Sequence, residues 1–236
     1  MVDEIHKRVH LDTTMAYQQG VKGNRVLFVF ESPGRFEHEL QRPAVGETGV
    51  HLCMLCEKLR SLAAKSQNKF VRDIGKDFCK VRASIINIAP DWLPWKDEAQ
   101  TKRKSASELL KEEKLKYAEA LPVRLNNLTS FANVHVILCF GQLSWDVAKL
   151  IEEEREKTSR SFCIITTYHL SGRASKCFDG GTWCKKMEFL SHAIYEKIQE
   201  WVSTKDVRVF DLTCFSQKYK QIATGAKNGT NSIRVT

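Results

Sequence analysis

The chain has no apolar stretch approaching the ~20 residues that a membrane-spanning helix needs. Its longest apolar runs are strand-sized, VLFVF at 26–30 and VILCF at 136–140. The opening residues, MVDEIHKRVHLDTT, carry charge throughout and hold no signal-peptide hydrophobic segment, so a cytoplasmic protein is expected. Internal repeats, low-complexity tracts and a clear linker are also missing, which excludes collagen-like and wholly disordered classes. A second CxxC is absent too. Cys53 and Cys56 form one such pair, but it falls inside a predicted helix, so neither a zinc site nor any other metal is expected. The eight cysteines form no disulfide framework. Several sit within apolar runs, among them Cys139 and Cys163, and read as reduced thiols acting as small hydrophobes.

What is present is a chain of 236 residues, 42% hydrophobic and 28% charged, long enough to bury a substantial core. It reads as a single domain over 1–236. The core spans about 25–203, with a helical N-terminal extension over 1–24 and a loose basic tail over 213–236. Lysine and arginine total 37 against 28 acidic residues, a net charge of +9. That surplus suits a polyanionic partner, because each phosphate contact releases condensed counterions. Nucleic acid is the expected partner and no membrane is.

Strand and helix signals alternate. Buried-strand runs fall at 26–31, 83–88, 134–140 and 162–167, with a peripheral strand at 207–212. Helical spacing of apolar residues marks 48–64, 106–121, 144–154 and 183–201. Residues 91–104 and 168–175 read as loops. This pattern predicts an α/β fold with three αβα layers and a central, mainly parallel four-stranded sheet. Ligands of such sheets bind outside the carboxyl ends of the strands. The loops following residues 30, 87 and 167 are therefore the place to look for chemistry.

Those loops carry motifs. Residues 30–49 read FESPGRFEHELQRPAVGETG, in which a strand leads into Glu-Ser-Pro-Gly, then Arg-Pro-x-Val-Gly and a helix start. Ile85-Ile86-Asn87 closes the second strand, a third ends at Gly141, and TTYHLS at 166–171 closes the fourth. In this order the segments resemble the motifs of the uracil-DNA glycosylase superfamily, closest to the bacterial and archaeal family that reads GEAPG and GRPFVG. The resemblance covers about residues 25–203. It implies a monofunctional, monomeric enzyme that flips a pyrimidine nucleotide out of DNA and hydrolyses its N-glycosidic bond. By that resemblance His169 donates to the departing base, Asn87 reads the pyrimidine edge, and Glu31 holds water or faces the cationic sugar. Glu47 is a second carboxylate candidate. Ser32 stands where the best-known relatives carry Asp or Asn. Ser171 and the Ser32-Pro33-Gly34 backbone become phosphate clamps, and Arg173 or Leu170 the wedge that enters the duplex, with a phosphate contact as the alternative for Arg173. Apart from the resemblance, Lys102, Arg103 and Lys104 form a basic cluster that faces either DNA or solvent.

Three departures from the pattern shape the expectation. Ala44 replaces the phenylalanine that stacks on the flipped base, removing ~1–3 kcal/mol of stacking and suggesting open volume beside the base. A modified or bulky pyrimidine follows, such as hydroxymethylated or glucosylated cytosine in phage DNA, with plain uracil as the alternative. The cysteines that hold an iron–sulfur cluster in the closest family are missing here, so no cofactor is expected. Leu170 and Phe30 replace a proline and a glycine, altering the loops around the site. Two other readings compete: a silent DNA-binding relative, and a protein regulated through Cys53 and Cys56.

Overall fold

A computed structural model of the chain describes residues 13–14, 16–31, 33–89, 121, 124–125, 131–141, 144–156, 161–170, 183–204 and 208–212. Two short strands come first, β1 (Thr13–Thr14) and β2 (Tyr17–Gln18). Then follow β3 (Val26–Phe30), β4 (Ser84–Asn87), β5 (Val136–Phe140), β6 (Cys163–Thr167) and β7 (Arg208–Asp211). They form one sheet in the order β1-β2-β4-β3-β5-β6-β7. The five strands from β4 to β7 in that order are mutually parallel, whereas β1 and β2 pair antiparallel.

Every residue of β3, β4, β5 and β6 is buried, which is why these strands read as unbroken apolar runs. Successive side chains leave on opposite faces. Phe28, Ile85, Leu138 and Ile165 pack under α2 (Gly46–Ala64), α3 (Lys69–Gly75) and α5 (Trp183–Thr204), with Leu52, Leu59, Ile74, Leu190 and Ile198 of those helices. Leu27, Val29, Ile137 and Ile164 pack on the other face with Val147 and Ile151 of α4 (Ser144–Glu156). The α2–α3 contact is close: a side chain on Gly75 would collide with Cβ of Ala63. A short helix, α1 (Arg35–Leu40), follows β3.

The structure corrects two expectations. The sheet has seven strands rather than four, and residues 13–14 and 17–18 of the supposed helical extension are strands. The physical reason is the outer edge of β4, which would otherwise present unpaired backbone groups. β2 covers it through Tyr17 and Gln18, opposite Ile86 and Ile85. The Gln18 side-chain amide also donates to the carbonyls of Lys80 and Ala83. Residues 1–12, the loop at 91–104, the helix at 106–120 and the tail at 213–236 lie outside the described residues. Among the described residues no helix is long and apolar enough to cross a membrane.

Candidate functional site

Strand order reverses between β3 and β5, since the chain goes from β3 outward to β4 on one side and then to β5 on the other. Such a switch point leaves a crevice at the carboxyl ends of the strands. Glu31, the residue after β3, lays its side chain over Gly141, the residue after β5. The fit requires glycine: Gly141 has φ +117, and a Cβ there would collide with Cδ of Glu31. The same turn is tied to β6, because the Gly141 N–H donates to the Thr167 carbonyl at 2.9 Å. Gly141→Ala is expected to destabilise the protein by ~1–3 kcal/mol, since it forces an L side chain into a glycine conformation and displaces a carboxylate. Urea unfolding checks this; a wild-type midpoint would mean that Glu31 does not lie where described.

His169 follows β6 by two residues. Its ring meets the edge of Phe30 at a centroid separation of 6.0 Å and 69° between planes. Phe30 in turn stacks on Phe140 at 4.8 Å, so the imidazole reaches back across β5 toward β3 on a wall of aromatic rings. The residue keeps some exposure, but burial of its ring pushes its pKa down to about 4. It is a neutral imidazole at pH 7, able to donate one N–H and accept at the other nitrogen. Its loop is pinned from below. His51 of α2 is buried and lies with Nδ1 2.6 Å from the Leu170 carbonyl, which only accepts, so Nδ1 carries the proton. The His51 ring stacks on Trp183 of α5 at 3.7 Å.

The depressed pKa has a thermodynamic consequence. An unfolded histidine takes its proton near pH 6.5, before the folded one does. The stabilising contribution is therefore complete above about pH 6.5 and is lost as pH falls from there toward 4. Partial exposure moderates the effect to the order of 1–3 kcal/mol. Wild type should lose more stability than His169→Gln between pH 7 and pH 4.5 in urea titrations; equal losses would contradict the buried neutral ring.

Asn87 ends β4 opposite Phe30 in register and is fully buried. Its side chain hydrogen-bonds the carboxylate of Glu37, a buried residue of α1. The carboxylate also accepts from the backbone N–H of Gly34 and of Ala44. Burial raises the Glu37 pKa; those three hydrogen bonds and the charge of Lys80 oppose the rise. Glu37 thus joins the loop after β3, the 41–45 turn and the end of β4. The Asn87 amide has its donor side toward Glu37, and its Oδ1 finds no donor among the described residues.

The structure therefore sets Glu31, Asn87 and His169 at or just past the carboxyl ends of β3, β4 and β6, three parallel strands of one sheet. It does not give the other residues their expected places. Leu170 is buried in the core at 1% exposure and is not free to wedge into a duplex, because its loop is drawn inward by His51. Gly34 spends its N–H on Glu37, and Pro33 is buried and has none to give, so neither serves as a phosphate clamp. Ala44 does not border open volume: it is fully buried, at φ 51, and contributes its backbone rather than its side chain. Phe30, in place of a motif glycine, is the wall beside His169. Glu47 is exposed on the first turn of α2, where a carboxylate suits the positive helix end. Ser32, Lys102, Arg103, Lys104, Ser171 and Arg173 lie outside the described residues.

Sequence reasoning missed Glu37 and His51, and it read Gly141 only as a strand end, not as the seat of Glu31. Glu37 had a signal, a glutamate three residues after a helix-capping position. His51 had none, since its partner is 119 residues away. Among the described residues no group of three or more His, Cys, Asp or Glu is arranged to hold a metal ion. Cys139 and Cys163 are fully buried, and burial raises both thiols far above their ordinary pKa. Cys53 is exposed and Cys56 buried on α2. No protein-family model matches this sequence, and no curated protein matches it.

Proposed function

We propose that this chain is a monofunctional DNA glycosylase of the uracil-DNA glycosylase superfamily, with that superfamily's three-layer αβα arrangement, acting as a monomer in the cytoplasm. The reading is supported by one observation: a carboxylate, a buried amide and a neutral imidazole stand at the carboxyl ends of β3, β4 and β6 around the switch point of a parallel sheet. In the proposed reaction a pyrimidine nucleotide leaves the stack and its edge meets Asn87. The C1′–N bond breaks with its electron pair passing to the base. The neutral His169 N–H then hydrogen-bonds the anion accumulating on the base, an interaction that strengthens in a water-poor site. Glu31 orients the water whose oxygen bonds to C1′ and accepts the proton that water loses. The net charge of +9 favours a DNA substrate.

The proposed substrate is a modified pyrimidine. That preference now rests on the missing stacking ring at position 44 alone, because full burial of Ala44 removes the argument from empty volume. Duplexes carrying uracil, 5-hydroxymethylcytosine or its glucosylated form decide the question. Release from a modified duplex supports the preference, and release from uracil alone assigns ordinary repair. Tight binding with no free base from any of them would leave a silent relative.

A further inference from the structure

We propose that Cys53 and Cys56 of α2 form a dithiol that hydrogen peroxide oxidises to a disulfide, Cys53 taking the oxidant and Cys56 closing the bond. Neither thiol takes part in the reaction proposed above, so the two proposals are independent. Residues three apart on an α-helix have Cα atoms about 5 Å apart, inside the range of roughly 4.4–6.8 Å that disulfides span. The two sulfurs differ in access. Cys53 is exposed, whereas Cys56 is 3% exposed and belongs to the core with Leu55, Leu59 and Phe78. An oxidant in water therefore reaches one sulfur, and only a neighbour reaches the other. A peroxide-reactive pair needs that division of roles.

The segment after α3 brings a positive charge to the pair. Gly75 lies against Ala63 near the end of α2, and the chain from there passes back along the helix. It carries Lys80 far enough that Nζ is 3.0 Å from where a Cβ on Gly49 would stand. Gly49 is one turn before Cys53 on the same side of α2, where such neighbours have Cβ atoms ~5–6 Å apart. Burial lowers the Lys80 pKa, and Cys53 and then Glu37 oppose the shift, so both lie within reach of the ammonium. Burial raises the Cys56 thiol well above its ordinary pKa, with Cys53 and Cys79 adding to the rise. Cys56 thus enters the reaction with its proton on.

The chemistry runs in two steps. The Cys53 thiolate attacks one oxygen of hydrogen peroxide, the O–O bond breaks, and hydroxide leaves and takes a proton from solvent. Cys53 is then a sulfenic acid. The Cys56 sulfur attacks the Cys53 sulfur, the S–O bond breaks, and the hydroxyl departs as water with the Cys56 proton. Two thiols lose two protons and two electrons, and one peroxide becomes two waters. The remaining described cysteines lack this arrangement. Cys139 and Cys163 are fully buried and out of step across β5 and β6, where Val136 faces Cys163. Cys184 stands on α5, away from α2's pair in sequence and element.

The test treats the full chain with hydrogen peroxide, blocks the remaining thiols with iodoacetamide under denaturing conditions and maps the peptides by mass spectrometry. The peptide carrying both residues is expected to lose two hydrogens, to resist alkylation and to regain both thiols with dithiothreitol. Cys53→Ser, at an exposed position, is expected to leave Cys56 fully alkylated after the same treatment. Cys56→Ala is expected to halt oxidation at a Cys53 sulfenic acid that dimedone traps. Lys80→Gln is expected to slow disulfide formation about two- to fivefold, the effect of one charge at ~9 Å near the surface. An undiminished rate there overturns the part given to the ammonium. Both thiols still free after peroxide has oxidised a small-molecule thiol control overturns the proposal. So does a bond from either residue to Cys79, or Cys53 carried on to sulfinic acid beside an intact Cys56. The wild-type peptide map decides these outcomes even if Cys56→Ala does not fold.

Discussion

Alanine in place of His169 is expected to slow base release at least ~100-fold at saturating substrate, with DNA affinity changed far less. The imidazole donates to charge that exists only as the glycosidic bond breaks, so its loss acts on the transition state. The ring is already neutral at pH 7, because burial holds its pKa at about 4. Wild-type activity should therefore persist at pH 5, well below the ordinary histidine pKa, as far as this group is concerned. Glutamine at 169 keeps an amide donor and should recover part of the rate. A variant that releases base as fast as wild type would remove His169 from the chemistry.

The second large effect is expected at Glu37. Its carboxylate accepts from Gly34, from Ala44 and from Asn87, and all three donors are left without that acceptor in Glu37→Ala. Hydrogen bonds to a buried charge contribute ~1.5–3 kcal/mol each, offset here by the desolvation of the carboxylate. A net loss of ~3–5 kcal/mol in urea unfolding is expected. Glu37→Gln keeps a carbonyl acceptor and should fold better, but its NH2 competes with the Asn87 amide for the same space and turns that amide away from the base. Its signature is lost base release in a protein still largely stable. A wild-type urea midpoint for Glu37→Ala would show that the carboxylate is not the tie described.

Much of the fold is legible in the sequence because the central strands are buried on both faces. VLFVF, SIIN, VILCF and CIITT need no periodicity to be recognised, and the strands end within a residue or two of their expected bounds. The long helices α2 and α5 show their apolar stripes equally well. What escapes is short or depends on distant partners. Six residues of α1 and seven of α3 give too few turns to establish a period, although Asn68 caps α3 by accepting from Phe70 and Val71. The strands β1 and β2 exist only through the edge of β4, more than sixty residues away.

The site divides along the same line. Glu31, Asn87 and His169 stand at strand ends, where position along the chain fixes position in space. Leu170 and Ala44 depart from expectation because letters report side chains, whereas both residues act through backbone. One carbonyl is drawn inward by His51, and one N–H in a left-handed turn is given to Glu37. No pattern local to residues 44 or 170 reveals either.

The most direct test counts products. Wild type and Glu31→Gln would be incubated under single-turnover conditions with the modified-pyrimidine duplexes, with free base measured by mass spectrometry and abasic sites by alkaline strand cleavage. The account predicts equal amounts of free base and abasic site from wild type, and at least ~100-fold slower appearance of both from Glu31→Gln. Neither product from wild type on any of these duplexes or on uracil, or an undiminished rate in Glu31→Gln, would contradict it.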